Sequence, residues 1–365
     1  MSNLYLRFIQ FSLGLYEGKE FIDGTALRQF DWATFYKFAN EQTLAGILFD
    51  GVQRLPKGIA PPLPILMKWL AVSESLKKRN RTLDKATAYI YRKVAKSGFP
   101  CCILKGQGNA VLYPNPSART PGDVDVWVNA SREEIRTLAA MLAAFKGDVG
   151  EESLNHIELT VNGVAVELHT TPAIMCNLIH NRRMQRWLKA NISVQCANLV
   201  TLASEEAGRV ATPTAAFNVV YQLFHLYHHY FFEGVGLRQV LDYYFVLANF
   251  SPTADEQANL QHDLRHLGLW KFAGAMMYVL REVMAMSDDR MIAPVDARRG
   301  RLLLDDIVCG GNFGHYETRY HFGKGVVGHN LQRLFRDVRL LVYYPAEAIS
   351  EPLFRIGHFL WRMKQ

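Results

Sequence analysis

The chain has 365 residues, 49% of them hydrophobic and 21% charged, the composition of an ordinary core-forming protein rather than a disordered or collagen-like one. No apolar run reaches the roughly 18 residues a membrane span needs, and the first residues, MSNLYLRFIQ, carry no basic leader, so neither a span nor a signal peptide is predicted. The net charge of +7 is modest for this length, and its densest cluster is Arg298, Arg299 and Arg301, which keeps nucleic acid as an alternative partner only.

Residues 1–98 read as an N-terminal helical region. Trp32, Phe35, Phe38 and Ala39 fall at helical spacing, followed by Leu44, Ile47 and Leu48. A long amphipathic pattern then runs from Pro61 to Gly98, ahead of Pro100. Residues 99–205 change character and read as a compact core. PCCILKG is a short apolar strand, GNAVLYP a short helix or turn, and DVDVWV a second strand. Ser131 with Glu134 three positions on has capping-box spacing and opens a helix. HIELTVNGVAVELHT is a hairpin with Asn162-Gly163 at its tip. Residues 206–365 read as a C-terminal helical domain, with a Gly310-Gly311 turn before His315, Tyr316 and Arg319. Five cysteines, with Cys101 and Cys102 adjacent and no Cys-x-x-Cys pair, suit a reducing, cytoplasmic setting and argue against a thiolate zinc site.

The chemistry concentrates in the core. Side chains alternate along a strand, so Asp123, Asp125 and Trp127 share one face while Val124, Val126 and Val128 take the other. The valine face belongs to a core, which directs both aspartates to solvent or a cleft. Two carboxylates at that spacing repel unless a cation sits between them, and Mg²⁺ takes one or two carboxylates plus phosphate oxygens. A two-residue turn at Asn162-Gly163 pairs Leu159 with Val166 and Ile157 with Leu168 on an apolar face. The opposite face then carries Glu158 across from Glu167 and His156 across from His169. Like charges directly opposite destabilise a sheet, so this face makes sense beside the aspartates in a cation-holding site. Glu167 is the expected third carboxylate, and Glu158 the second-ranked one.

These segments resemble a bacterial family, the uncharacterised nucleotidyltransferases, within the DNA polymerase beta-like nucleotidyltransferase superfamily. The resemblance falls on Leu104-Lys105-Gly106, Tyr113-Pro114, Arg119, Asp123-Val124-Asp125 and Val166-Glu167-Leu168-His169, and extends to FHLYHHYFFEGVGLRQVLDYY, covering roughly residues 100–250. It implies an α+β fold, a small mixed-sheet nucleotidyltransferase core flanked by the two helical regions. It also implies two-metal transfer of a nucleoside monophosphate from an NTP, ATP among the candidates, to a hydroxyl acceptor, with pyrophosphate release. Asp123, Asp125 and Glu167 would hold two Mg²⁺ ions, with Mn²⁺ as the alternative, and Glu167 would assist removal of the acceptor proton. Lys105, Gly106 and Arg119 would meet the phosphates. The superfamily usually carries Gly-Ser or Gly-Gly where this chain has Gly106-Gln107, so Gln107 and backbone N–H groups at the following helix start would stand in for the missing hydroxyl.

His225, His228 and His229 share one helical face by their spacing, without the Glu of a His-Glu-x-x-His metal site. Arg238 and Asp242 lie one turn apart and are placed to pair. The expected cleft residues are therefore His156, Glu158, His169, His225, His229, Arg238 and Asp242. The acceptor, whether small molecule, protein side chain or RNA, is not specified by these motifs. Two other function classes compete: an inactive relative that binds nucleotide or a partner without chemistry, for which Gln107 speaks, and a nucleic-acid-binding protein.

Overall fold

The computed structural model describes residues 3–27, 30–144, 147–317, 319, 334–336 and 338–362, except the side chains of 205 and 358–362. Four helices, α1 (Asn3–Ser12), α2 (Lys19–Ile22), α3 (Trp32–Glu41) and α4 (Ala45–Gln53), precede the 34-residue α5 (Leu63–Lys96). Asp31 caps α3 by accepting from Ala33 and Thr34 N–H. Helix α5 begins directly after Pro62 and stops where Gly98 takes a φ of +87°.

The core follows as β1 (Cys101–Leu104), α6 (Gly106–Ala110), β2 (Val124–Val128), α7 (Arg132–Ala143), β3 (Gly147–Glu152), β4 (His156–Val161) and β5 (Val164–His169). The sheet order is β1-β2-β5-β4-β3. Only the β2–β5 pair is parallel; the other three are antiparallel. Ser131 and Glu134 form the expected capping box on α7, and the hairpin adopts the expected register, with Val161 opposite Val164 and Glu158 opposite Glu167. The edge strand β3, and α8 (Leu178–Ala197) with the β6 (Leu199–Thr201) and β7 (Arg209–Ala211) pair, were not anticipated. The chain closes with α9 (Ala215–Phe232), α10 (Leu237–Ala248), α11 (Ala254–His266), α12 (Trp270–Met284), α13 (Ala297–Gly310) and a C-terminal helix, Pro345–Arg362. Among the described residues, no helix is long and apolar enough to cross a membrane.

Strand alternation divides the core in two. Ile103, Val124, Val126 and Val128 pack with Ile135 and Leu138 of α7 and with the end of α5. Cys102, Leu104 and Trp127, on the other face, join one apolar body that includes helices from both ends of the chain. Hydrogen bonds tie those ends together: Gln42 donates to the Ile307 carbonyl and accepts from Leu237 N–H, and Gln10 donates to the Val283 carbonyl. The aspartate face is thus open at one end only. Trp127 does lie on it as alternation requires, but stacks on Phe217 of α9 with ring centroids 5.7 Å apart and is sealed. The expectation that this face opens to solvent or a cleft is corrected to its Asp123 end, because an indole contributes far more by burial than by exposure.

Candidate active site

The site forms where the ends of β1, β2 and β5 meet the helical layer. Two successive positive φ angles, +48° at Lys105 and +41° at Gly106, turn the chain sharply from β1 into α6. Gly106 suits the turn by its positive φ, and a Cβ there would stand 3.3 Å from the Asp123 carbonyl oxygen, a tight contact. The turn sends the Lys105 side chain back across the sheet, its Nζ 2.9 Å from Asp125 Oδ1. The parallel register sets Glu167 beside Asp125 on the neighbouring strand. One carboxylate oxygen from each of Asp123, Asp125 and Glu167 lies within 4.8 Å of the others.

Asp125 is 2% exposed, more buried than a cleft residue was expected to be, while Asp123 and Glu167 are half-buried. Burial acts to raise the Asp125 carboxyl, but the Lys105 ammonium and the His169 hydrogen bond outweigh it and hold it below the usual carboxylate range. His169 Nε2 lies 3.0 Å from Asp125 Oδ1 and 3.1 Å from Glu167 Oε2. Burial works against its imidazolium, yet these two carboxylates raise its pKa. Glu167 is shifted down, its burial being outweighed by His169. Asp123 moves up, first because of the Asp125 charge and then because of burial. Three carboxylates with Lys105 and His169 between them form a centre in which Asp123 is the least compensated charge.

Two expected phosphate ligands have other partners. Arg119 is buried and meets Asp242 through a two-point fork, Nε to Oδ1 at 2.7 Å and Nη2 to Oδ2 at 2.8 Å. Tyr113 donates its hydroxyl to the same Oδ1 at 2.7 Å. Arg119 lines the cavity, but its charge is matched by Asp242. Arg238 approaches Asp242 only to 3.6 Å, beyond hydrogen-bond distance, and lines the cavity. One carboxylate thus faces two guanidinium groups, and Arg238 is the one whose charge is left over. Gln107 is also buried; its Nε2 donates to Asp84 Oδ1 at 2.6 Å, and it does not line the cavity. The stand-in role expected of its side chain is corrected to a structural one.

The opposite wall comes from α9 and α10. The cavity, about 1080 Å³, is lined by Tyr221, His225, His228, His229 and Phe232 of α9, by Arg238 and Asp242 of α10, and by Phe313. The α9 residues recur at helical spacing, a signal that reached the histidines in the sequence but passed over Tyr221 and Phe232. Burial, then the positive charge of Lys105, keeps His225 well below its usual pKa, and burial pushes His228 down to about 3. His229 pairs with Glu233 at 2.9 Å. Of the hairpin residues expected in the cleft, His156, Glu167 and His169 line the cavity; Glu158 is exposed outside it, a correction to its place among the cleft residues. Among the described residues, the convergent groups able to hold a metal are Asp123–Asp125–Glu167 and His156–Glu167–His169, and neither includes the α9 histidines.

The profile of the family described as "Uncharacterised nucleotidyltransferase" matches residues 28–285, most of the chain. The chain belongs to that family. The match takes in the strands, the hairpin and the α9–α10 wall of the cavity. Among solved structures the chain is similar to an antigenic nucleotidyltransferase-like protein from Paracoccidioides brasiliensis, at 15% identity and a TM-score of 0.36, over 60% of this chain and 96% of that one. Curated proteins give no match.

Proposed function

We propose that the chain is a metal-dependent nucleotidyltransferase that moves a nucleoside monophosphate from an NTP to a hydroxyl acceptor and releases pyrophosphate. The observation that carries this is the convergence of Asp123, Asp125 and Glu167 oxygens within 4.8 Å on one cavity wall, in a chain of this family. The donor set fits Mg²⁺, or Mn²⁺: hard carboxylate oxygens, with the uncompensated charge of Asp123 among them. When bound, divalent ions stabilise the attacking and leaving oxygens of an in-line displacement.

The protein's own groups do the rest. Lys105, at the β1 end of the site, and Arg238, from the helical wall, offset phosphate charge. Gly106, at the start of α6, lets the chain approach the phosphates closely, and first-turn N–H groups of α6 have no partner within the helix. Glu167, held ionised by His169, can take the proton of the acceptor hydroxyl as the oxygen–phosphorus bond forms and the bond to pyrophosphate breaks. Arg119 and Asp242 hold the wall in place. The cavity volume of about 1080 Å³ leaves room for an acceptor beside a nucleotide.

Binding without chemistry is the second reading, favoured by the commitment of Gln107 to Asp84 at the turn where the superfamily carries a Ser or Gly. Calorimetric titration with ATP and Mg²⁺, paired with pyrophosphate release and transfer of label from each of four α-labelled NTPs into cell extract, separates the two. Turnover supports transfer; tight binding with no release for any NTP or acceptor supports the second reading.

A further inference from the structure

We propose that His156, Glu167 and His169 form a second metal site, selective for a borderline transition ion of the Zn²⁺ or Co²⁺ class and joined to the carboxylate site through Glu167. The order of the sheet separates two kinds of donor. Running from β1 through β2 and β5 to β4, the side chains facing the cavity change from Lys105 to Asp125, then Glu167 and His169, then His156. Oxygen donors gather between β2 and β5, nitrogen donors between β5 and β4. Imidazole suits Zn²⁺ and the later first-row ions, whereas an all-carboxylate set suits Mg²⁺ and Mn²⁺.

The geometry is that of a ligand set in which the ion takes the place of the proton that His169 Nε2 shares with Asp125 and Glu167, releasing it on binding. Two ligands at about 2.0–2.1 Å from a tetrahedral ion stand about 3.3 Å apart. Glu167 Oε2 lies 3.1 Å from His169 Nε2 and 3.8 Å from His156 Nδ1, which brackets that spacing, and one ligand atom from each of the three residues lies within 4.8 Å of the others. His156 and His169 are direct cross-strand partners, with ring centroids 5.1 Å apart. His169 is 4% exposed, and His156 Nδ1, the nitrogen facing Glu167, is buried with no hydrogen-bond partner. A buried nitrogen left unbonded is costly in a structure without a cation; with one, it is a donor. Glu158 stands 3.6 Å from His156 Nε2, on the far side of that ring and beyond hydrogen-bond distance.

The proposal stands on metal binding and does not require nucleotidyl transfer, so the two can fail separately. The probe is CoCl₂ alone, titrated into the full chain and followed by visible absorption, with X-ray absorption of the Zn²⁺-loaded chain to count imidazole ligands. The wild type is expected to bind Co²⁺ with two imidazoles, and Asp123→Asn to keep the imidazole-bound ion. His156→Ala, at a half-buried position, is expected to weaken Co²⁺ binding by about 100-fold or more. No Co²⁺ binding by the wild type, wild-type affinity in His156→Ala, or an ion without imidazole ligands that disappears in Asp123→Asn would each overturn the assignment. Pyrophosphate release with Mg²⁺ that survives any of these results leaves the transferase proposal intact.

Discussion

Arg119 and Asp242 are joined by two parallel hydrogen bonds, 2.7 and 2.8 Å long, and both are buried. The pair connects the loop before β2 to α10, so the strand that presents the aspartates and the helix that presents Arg238 share one anchor. The loop is held from below as well: Asn80 of α5 donates to the Ser117 and Arg119 carbonyls, and Thr120 donates to the Thr43 carbonyl.

Arg119→Ala leaves Asp242 buried with only the Tyr113 hydroxyl and the more distant Arg238 opposite. Stranding one partner of a buried pair costs about 3–5 kcal/mol, so the midpoint of urea unfolding falls by a corresponding amount. Arg119→Lys restores charge but not the fork and recovers only part of the loss. An Arg119→Ala midpoint equal to that of the wild type would show that the pair does not hold the two layers.

Gly46 of α4 sits against the turn that precedes Arg119. A Cβ there would stand 2.2 Å from the Ala118 carbonyl oxygen, a backbone atom with no room to yield. Helix propensity alone favours Ala by about 1 kcal/mol, but overpacking costs about 1–3 kcal/mol and wins. Gly46→Ala therefore lowers the melting temperature, and a rise would contradict the close packing of α4 on this turn.

His225 and His228 are held neutral in the fold, His228 with a pKa down at about 3. Below about pH 6.5 the unfolded chain takes up protons there that the folded chain does not. Their contribution is therefore complete above that pH and is lost as pH falls toward the folded values, with a slope of about 1.4 kcal/mol per pH unit for each group. His169, shifted up by its carboxylates, acts with the opposite sign: its contribution is complete below about pH 6.5 and is lost as pH rises through its folded value. The clean test is a difference: His228→Phe unfolds less steeply on acidification from pH 6.5 to 4.5 than the wild type. Parallel curves would mean that His228 is charged in the fold.

Asp123 is shifted upward chiefly by Asp125. A carboxyl raised in the fold costs stability once pH exceeds its unfolded pKa, so at pH 7 its charge is a net strain. Asp123→Asn then melts higher than the wild type without metal, and gains less from added MgCl₂ because a ligand is gone. A variant that melts lower and still gains fully from MgCl₂ would place the cation elsewhere.

The hairpin was legible because Asn162-Gly163 fixes its register and the two-residue period then assigns every side chain to a face. The same period placed Asp123 and Asp125 together. It could not show that α9 closes the Trp127 end of that face, since Phe217 lies 90 residues further on and no local pattern joins them. The Arg119–Asp242 pair was out of reach for the same reason: the partners are 123 residues apart. Strand β3, GDVGEE, is exposed along nearly its whole length and has a shifted register against β4, so it carries no alternation to read. Helix α8 buries only Met184, Leu188, Ile192 and Gln195 of its 20 residues, and its charged surface hides that stripe.

Pyrophosphate release and label transfer from α-labelled NTPs, measured with Mg²⁺ for the wild type and Asp123→Asn side by side, test the central claim most directly. Asp123 is half-buried rather than sealed, so the variant is expected to fold. The wild type is predicted to release pyrophosphate and label an acceptor, and the folded variant to do neither. Release by Asp123→Asn at the wild-type rate would contradict the assignment of the three carboxylates as the reaction centre.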